Sequence, residues 1–142
     1  MDWPFPAYKG TEPYVFISYS HRDSPEVYVK MSWMNESGFN VWYDEGIEAG
    51  IQWTDALADS IENAALFVYF VTPRSAASEN CRDEVSFAIE HGIDVIPIYL
   101  EETKLRGGLS LTLSTRQTVH KFQLSEGEYQ KNPNRDWHPI WK

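Results

Sequence analysis

The segment Ala65–Thr72, with the sequence ALFVYFVT, is the most apolar run in the chain, and the class of fold follows from it. It predicts a strand, as does the shorter β-prone run Tyr14–Tyr19, which lacks a clean alternation of apolar and polar positions. Strands buried on both faces have this pattern, and they are typical of parallel sheets covered by helices. Residues 73–78, which open with a proline, then break the run.

Four shorter runs on either side predict further strands. They are Tyr14–Tyr19, Phe39–Tyr43, Asp94–Leu100 and, as a short edge strand, Thr118–Phe122. Between the strands, apolar residues recur at the i, i+4, i+7 spacing of a helix face. This spacing predicts a helix with Ser24 as N-cap and Pro25 as first helical residue, a second after Thr54, and a third from near Ser78 to His91.

Strands that alternate with helices imply right-handed βαβ units and a parallel sheet. We therefore predict an α/β fold: a flavodoxin-like, doubly wound, five-stranded parallel sheet with the order 2-1-3-4-5 and helices on both faces. Residues 1–13 are assigned to an irregular lead-in and residues 14–122 to the domain. Residues 123–142 are assigned to a C-terminal tail, or to the start of a linker to a further domain.

Composition and charge argue against several classes of function. The chain has 142 residues and a formal net charge of −9, so it lacks the basic surface that nucleic acids and anionic membranes require. Its one cysteine, Cys81, cannot build a disulfide framework, and the four histidines show no ligand spacing with it, so no metal site is expected. No apolar run approaches the roughly 20 residues of a membrane span. These features favour a reducing, cytoplasmic setting.

The predicted topology places a ligand crevice at one end of the sheet. In open parallel sheets, ligands bind beyond the carboxyl ends of the strands, where the strand order reverses. With the order 2-1-3-4-5 this point lies between the first and third strands. The loops Ser20–Asp23 and Pro73–Ser78 meet there, the loop Asp44–Gly50 flanks them, and the helix that begins near Ser78 points its N-terminus at the crevice.

Glu84 is the acid that this arrangement places beside the crevice. On a helical wheel, Cys81, Val85 and Ala88 lie on the apolar face and Glu84 falls on its flank, which predicts a half-buried carboxylate. From position alone, an acid that interacts favourably with the helix dipole is the simpler interpretation. A chemical role for Glu84 therefore needs support from outside this helix.

Five motifs occur in an order that a known family shares. They are VFISYS at 15–20, GFNVWYD at 38–44, EAG at 48–50 followed by Trp53, SENCRDE at 78–84, and VIPI at 95–98. Together they resemble the motifs of Toll/interleukin-1 receptor (TIR) domains over roughly residues 14–122, in the style of bacterial NAD-cleaving antiviral effectors. The resemblance implies a flavodoxin-like fold. It also implies either NAD+ cleavage or a role as a non-catalytic TIR–TIR signalling scaffold.

The first alternative is an NAD+ nucleosidase, a hydrolase that releases nicotinamide and forms ADP-ribose or cyclic ADP-ribose. The resemblance implies Glu84 as its catalytic residue, NAD+ as substrate and no further cofactor. One carboxylate is chemically sufficient. The nicotinamide ring of NAD+ is a cationic pyridinium, so nicotinamide leaves as a neutral molecule and needs no general acid. Binding of FMN, which the flavodoxin-like fold alone suggests, is a third and weaker alternative.

Several other residues match positions that contact ligand in TIR enzymes. Ser20 and His21 occupy two such positions, and Asp44 and Glu48 lie in the matching BB loop, where they are expected to contact the ribose or a neighbouring protomer. For Asp44, a turn-forming role is the stronger alternative. Many TIR enzymes carry Trp four residues before the catalytic Glu, where this sequence has Asn80. Nicotinamide is then expected to stack on Tyr19 or Trp53 instead.

The pyrophosphate of NAD+ needs hydrogen-bond donors, and the sequence contains neither GxGxxG nor a P-loop. The candidates are the helix N-terminus near Ser78 and the side chains of His21, Arg22, Arg74 and Arg82, each of which is equally explained as solvated surface charge. The resemblance further implies a homo-oligomer in which the BB loop, residues 44–53, completes a neighbour's site. It also implies fusion to a nucleotide-sensing domain in the full protein.

Overall fold

A computed structural model of the chain describes residues 4–8, 10–43, 55–105, 107, 113, 119 and 120. Within these residues, five parallel strands form one sheet in the order β2-β1-β3-β4-β5. The strands are β1 (Val15–Ser18), β2 (Val41–Trp42), β3 (Leu66–Val71), β4 (Val95–Tyr99) and β5 (Val119–His120). The predicted flavodoxin-like fold and its strand order are confirmed.

β3 is the centre of the sheet, as its apolar sequence predicts. All six of its residues are buried, and it pairs with β1 on one side and β4 on the other. β1 to β4 are each shorter than the apolar runs that predict them, and some residues beyond the paired positions are still buried. Phe39 and Tyr43, for example, are buried although β2 pairs with β1 only through Val41 and Trp42.

Helices cover both faces of the sheet. They are α1 (Ser24–Glu36), α2 (Asp55–Glu62), α3 (Pro73–Ala77) and α4 (Glu79–Glu90). α1 packs its apolar stripe of Val27, Met31 and Met34 on one face. α2 and α4 pack on the other face, where Leu57, Ile61, Cys81, Val85 and Ala88 are buried together. Among the described residues, no helix is long and apolar enough to cross a membrane.

The structure differs from the sequence prediction at the start of α1 and in the segment that follows β3. Ser24 is the first residue of α1 and not its N-cap, because a 3₁₀ turn at His21–Asp23 precedes it and Ser20 caps that turn by accepting from the Arg22 N–H. The predicted break after β3 is in fact α3. Its capping box joins Thr72 and Ser75, with the Ser75 hydroxyl accepting from the Thr72 N–H at 2.9 Å.

Candidate active site

The site is built around a hydrogen bond between the end of β1 and the second turn of α4. The Ser18 hydroxyl donates to Oε1 of Glu84 at 2.8 Å. Ser18 is only 1% exposed and Glu84 is half-buried, as the helical wheel predicts. The contact exists because Cys81, Val85 and Ala88 bind α4 to the sheet and thereby turn Glu84 towards β1.

This bond lies where the strand order reverses. β1 is the second strand of the sheet and β3 the third, and Ser18 pairs with Tyr69 across them at their carboxyl ends. In open parallel sheets, ligands bind at such a point, between the loops that follow the two strands. Glu84 is the carboxylate that α4 holds at this edge.

Tyr19, Ser20 and His21 follow β1 directly and lie on one side of the predicted crevice. The rings of Tyr19 and His21 are stacked, with centroids 5.0 Å apart and an interplanar angle of 6°. Tyr19 is 5% exposed, whereas His21 is exposed, so His21 presents the aromatic surface at this point. Stacking of nicotinamide on Tyr19 stays a prediction, and it requires His21 to move from its face.

Of the other residues predicted to contact the ligand, the structure describes Asn80 but not those of the loop 44–53. Asn80 is exposed in the first turn of α4, one turn before Glu84 and on the same flank of the helix. The helix begins near Ser78 as predicted, and Ser78 is its N-cap, since its side chain accepts from the Cys81 N–H at 3.3 Å. Asp44, Glu48, Trp53 and the rest of the loop 44–53 lie outside the described residues.

Arg74 has a structural role that sequence reasoning missed. Its Nε donates to Oδ1 of Asp23 at 2.6 Å, and its guanidinium also pairs with Glu101. Asp23 is 9% exposed, and its Oδ2 accepts from the buried Thr72 hydroxyl at 2.6 Å. The hydrogen bonds to Asp23 and then to Glu101 raise the pKa of Arg74. Arg74 therefore ties together the loops that follow β1, β3 and β4, and its role as a pyrophosphate donor stays a prediction.

The fold and the motif order agree with one family model. The model described as the TIR domain matches residues 15–135. This chain belongs to the TIR domain family. A search of curated proteins found no match to the chain.

Solved structures share the fold of this TIR domain. The TIR domains of the activated Roq1 resistosome, which recognises the pathogen effector XopQ, align with a TM-score of 0.72 and 13% identity, covering 88% of this chain and 99% of that chain. The RPS4 and RRS1 TIR domain heterodimer aligns with a TM-score of 0.60 and 18% identity, covering 91% of this chain and 98% of that chain. The TIR domain of the Toll-related receptor TRR-2 from Hydra magnipapillata aligns with a TM-score of 0.59 and 16% identity, covering 89% of this chain and 90% of that chain. At these identities the likeness shows the fold alone.

Cys81 is a packed thiol in this TIR domain. It is 3% exposed, and burial, assisted by the charge of Glu84, raises its pKa to about 11. A thiol with this pKa is protonated at neutral pH and is a poor nucleophile. Among the described residues, no cluster of His, Cys, Asp or Glu could hold a metal ion. Of the two carboxylates near the strand-order reversal, Asp23 is engaged by Arg74 and Thr72, and Glu84 accepts from Ser18.

Proposed function

We propose that this TIR domain cleaves the nicotinamide–ribose bond of NAD+ and that Glu84 is its catalytic residue. The observation that supports the proposal is the 2.8 Å hydrogen bond by which Ser18 orients the Glu84 carboxylate at the strand-order reversal. The TIR family includes both NAD-cleaving enzymes and non-catalytic domains. Family membership alone therefore does not decide between them, and the geometry of the carboxylate carries the proposal.

The proposed reaction needs one carboxylate. The C1′–N bond breaks with its electron pair moving to the ring nitrogen, and nicotinamide leaves as a neutral molecule. Glycoside hydrolases usually need a second carboxyl group as general acid for a poorer leaving group. The ribose becomes oxocarbenium-like, and Glu84 stabilises that positive charge. Water then adds at C1′ and loses a proton to give ADP-ribose, or an adenine nitrogen adds there to give the cyclic form.

Ser18 and α4 prepare Glu84 for this role. A buried serine on a strand is held by the sheet, so its hydroxyl fixes the direction of the carboxylate before the substrate arrives. Preorganised groups of this kind contribute roughly 3–4 kcal/mol each to transition-state stabilisation.

We further propose that the domain works as an assembled cytoplasmic effector in antiviral defence. Residues 44–53 of one protomer would complete the site of the next, and a fused nucleotide-sensing domain would trigger assembly. The support is indirect: two structural relatives are a TIR heterodimer and the TIR domains of a resistosome. A monodisperse monomer with full turnover would contradict the requirement for assembly.

The test compares Glu84→Gln with a matched variant of the same helix. Glu90→Gln changes an exposed glutamate at the far end of α4 by the same single charge. Each protein is held at high density on a solid support to promote assembly, supplied with NAD+, and assayed for nicotinamide by chromatography. We expect the parent and Glu90→Gln to release nicotinamide at similar rates, and Glu84→Gln to lose roughly a hundredfold or more.

Two outcomes would reject the proposal in different ways. If Glu84→Gln cleaves as fast as the parent, an NAD+-cleaving centre exists but Glu84 is not part of it. If the assembled parent releases no nicotinamide, the scaffold alternative is favoured, and the Ser18–Glu84 bond is then a structural contact.

A further inference from the structure

A cavity lies between α3, the first turn of α4 and the segment 102–105 that follows β4. Its volume is about 470 Å³. Ligand pockets typically measure about 300–1,000 Å³, so the space suits a compact small molecule. The lining residues are Pro73, Ala76, Ala77, Arg82, Glu102, Thr103, Lys104 and Leu105.

This cavity and the Glu84 site lie on opposite flanks of α4. Arg82 and Glu84 are two residues apart, which separates their side chains by about 200° around the helix axis. Glu84 bonds to Ser18 at the end of β1, whereas Arg82 lines the cavity next to residues 102–105. The apolar face of α4, packed on the sheet through Cys81 and Val85, lies between the two flanks.

The cavity carries positive charge in a strongly acidic chain. Arg82 and Lys104 both line it, and among the described residues neither forms an ion pair. Glu102 is the acidic residue of the lining, which leaves one net positive charge where the whole chain has −9. A net positive charge beside a cavity favours an anionic ligand there, even where the net charge of the whole protein is negative.

The rest of the lining is suited to an apolar group. Pro73, Ala76, Ala77 and Leu105 supply small or apolar side chains, and Leu105 also packs against the core beneath α4. An apolar wall together with a few charged groups is typical of sites that fix a charged group and bury an uncharged body. Inorganic phosphate alone would leave this apolar wall unused.

We infer that the cavity binds a small organic phosphate. The phosphoryl group would lie between Arg82 and Lys104, with the uncharged part of the molecule against Ala76, Ala77 and Leu105. Arginine suits this role because its planar guanidinium donates two parallel hydrogen bonds to a phosphoryl group. The inference concerns a site separate from the proposed NAD+ site and does not depend on NAD+ cleavage.

Phenyl phosphate is the probe that tests both halves of the inference. Titration calorimetry with the purified full chain is expected to show one saturable site. Inorganic phosphate lacks the apolar body and phenol lacks the charge, so both are expected to bind at least tenfold more weakly. Arg82→Gln and Lys104→Gln are each expected to weaken phenyl phosphate binding by roughly tenfold, the effect of losing one charge-assisted hydrogen bond.

Two controls separate this site from others. Arg22→Gln removes the same charge from an exposed arginine that is not in the lining, and Glu84→Gln disables the proposed NAD+ site. Both are expected to bind phenyl phosphate as the parent does. In amide NMR spectra, the shifts on binding should centre on Ala77 and Leu105. Absence of saturable binding, affinity unchanged in both lining variants, or shifts centred on Ser18 would overturn the inference.

Discussion

The hydrogen bond from Ser18 to Glu84 predicts the effect of Ser18→Ala on catalysis. A hydrogen bond to a charged group contributes about 1.5–3 kcal/mol. If the bond orients Glu84 in the transition state, its loss lowers kcat by roughly tenfold to a hundredfold. Ser18 is 1% exposed, so the cavity left by its hydroxyl is poorly placed for water. Glu84 is half-buried and can regain some hydration, which favours the lower end of the range.

The assay measures kcat and KM for nicotinamide release by the assembled protein. Ser18 holds the carboxylate and is too buried to contact the substrate, so kcat should fall while KM stays within about twofold. Ser86→Ala is the matched control, because it removes a serine hydroxyl from the exposed surface of α4. Urea unfolding of each variant checks that the protein is folded under the assay conditions.

One result would refute this reasoning directly. If Ser18→Ala keeps the parent kcat while Glu84→Gln is inactive, Glu84 acts without the serine, and the hydrogen bond has no positioning role. A fall in kcat that occurs only where urea unfolding shows a largely unfolded variant would also refute it, because the loss would then be one of stability.

Three further changes test other parts of the structure. Asp23→Ala removes the acceptor of the buried Thr72 hydroxyl and should lower the free energy of unfolding, measured in urea, by about 1.5–3 kcal/mol. A loss below about 0.5 kcal/mol would contradict a stabilising role of this buried hydrogen bond. Asn80→Trp should lower KM for NAD+ by roughly fivefold or more through stacking, whereas Ser86→Trp, on another side of α4, should not. The pKa of Cys81 is raised from 9.0 to about 11 in the folded protein, so the thiol of the unfolded chain ionises first as pH rises. The free energy of unfolding should therefore fall between pH 9 and about pH 11, by on the order of 2–3 kcal/mol. Cys81→Ala should flatten that part of the curve, and an unchanged slope would count against the assignment.

The sheet could be predicted from the sequence because burial on both faces leaves a local signature. The runs around β1, β3 and β4 are almost wholly apolar, and each run contains the strand that the structure shows. The ends of the strands could not be predicted, since they depend on where a neighbouring strand stops pairing. α3 is not predictable from Pro73 alone, because proline both ends a strand and suits the first turn of a helix.

The position of Glu84 was also predictable, because the 3.6-residue period places it on a flank of α4. The period does not say what lies opposite that flank. Ser18 is 66 residues away along the chain, and only the topology brings its hydroxyl to the carboxylate. Positions 44, 48 and 53, which the family resemblance also assigns to the site, stay predictions because the structure does not describe them.

Arg74 and Arg82 show why cations near a crevice cannot be sorted from sequence. Both follow β3 closely, and both were equal candidates for binding an anion. The partners of Arg74 are 51 and 27 residues distant, at Asp23 and Glu101, and no local pattern announces either contact. Arg82, in contrast, has no carboxylate partner among the described residues, which is why the inferred phosphate site is built on it. Neutralising Arg74 should therefore loosen the loops around the crevice, whereas neutralising Arg82 should leave the fold intact and weaken the binding of an anion.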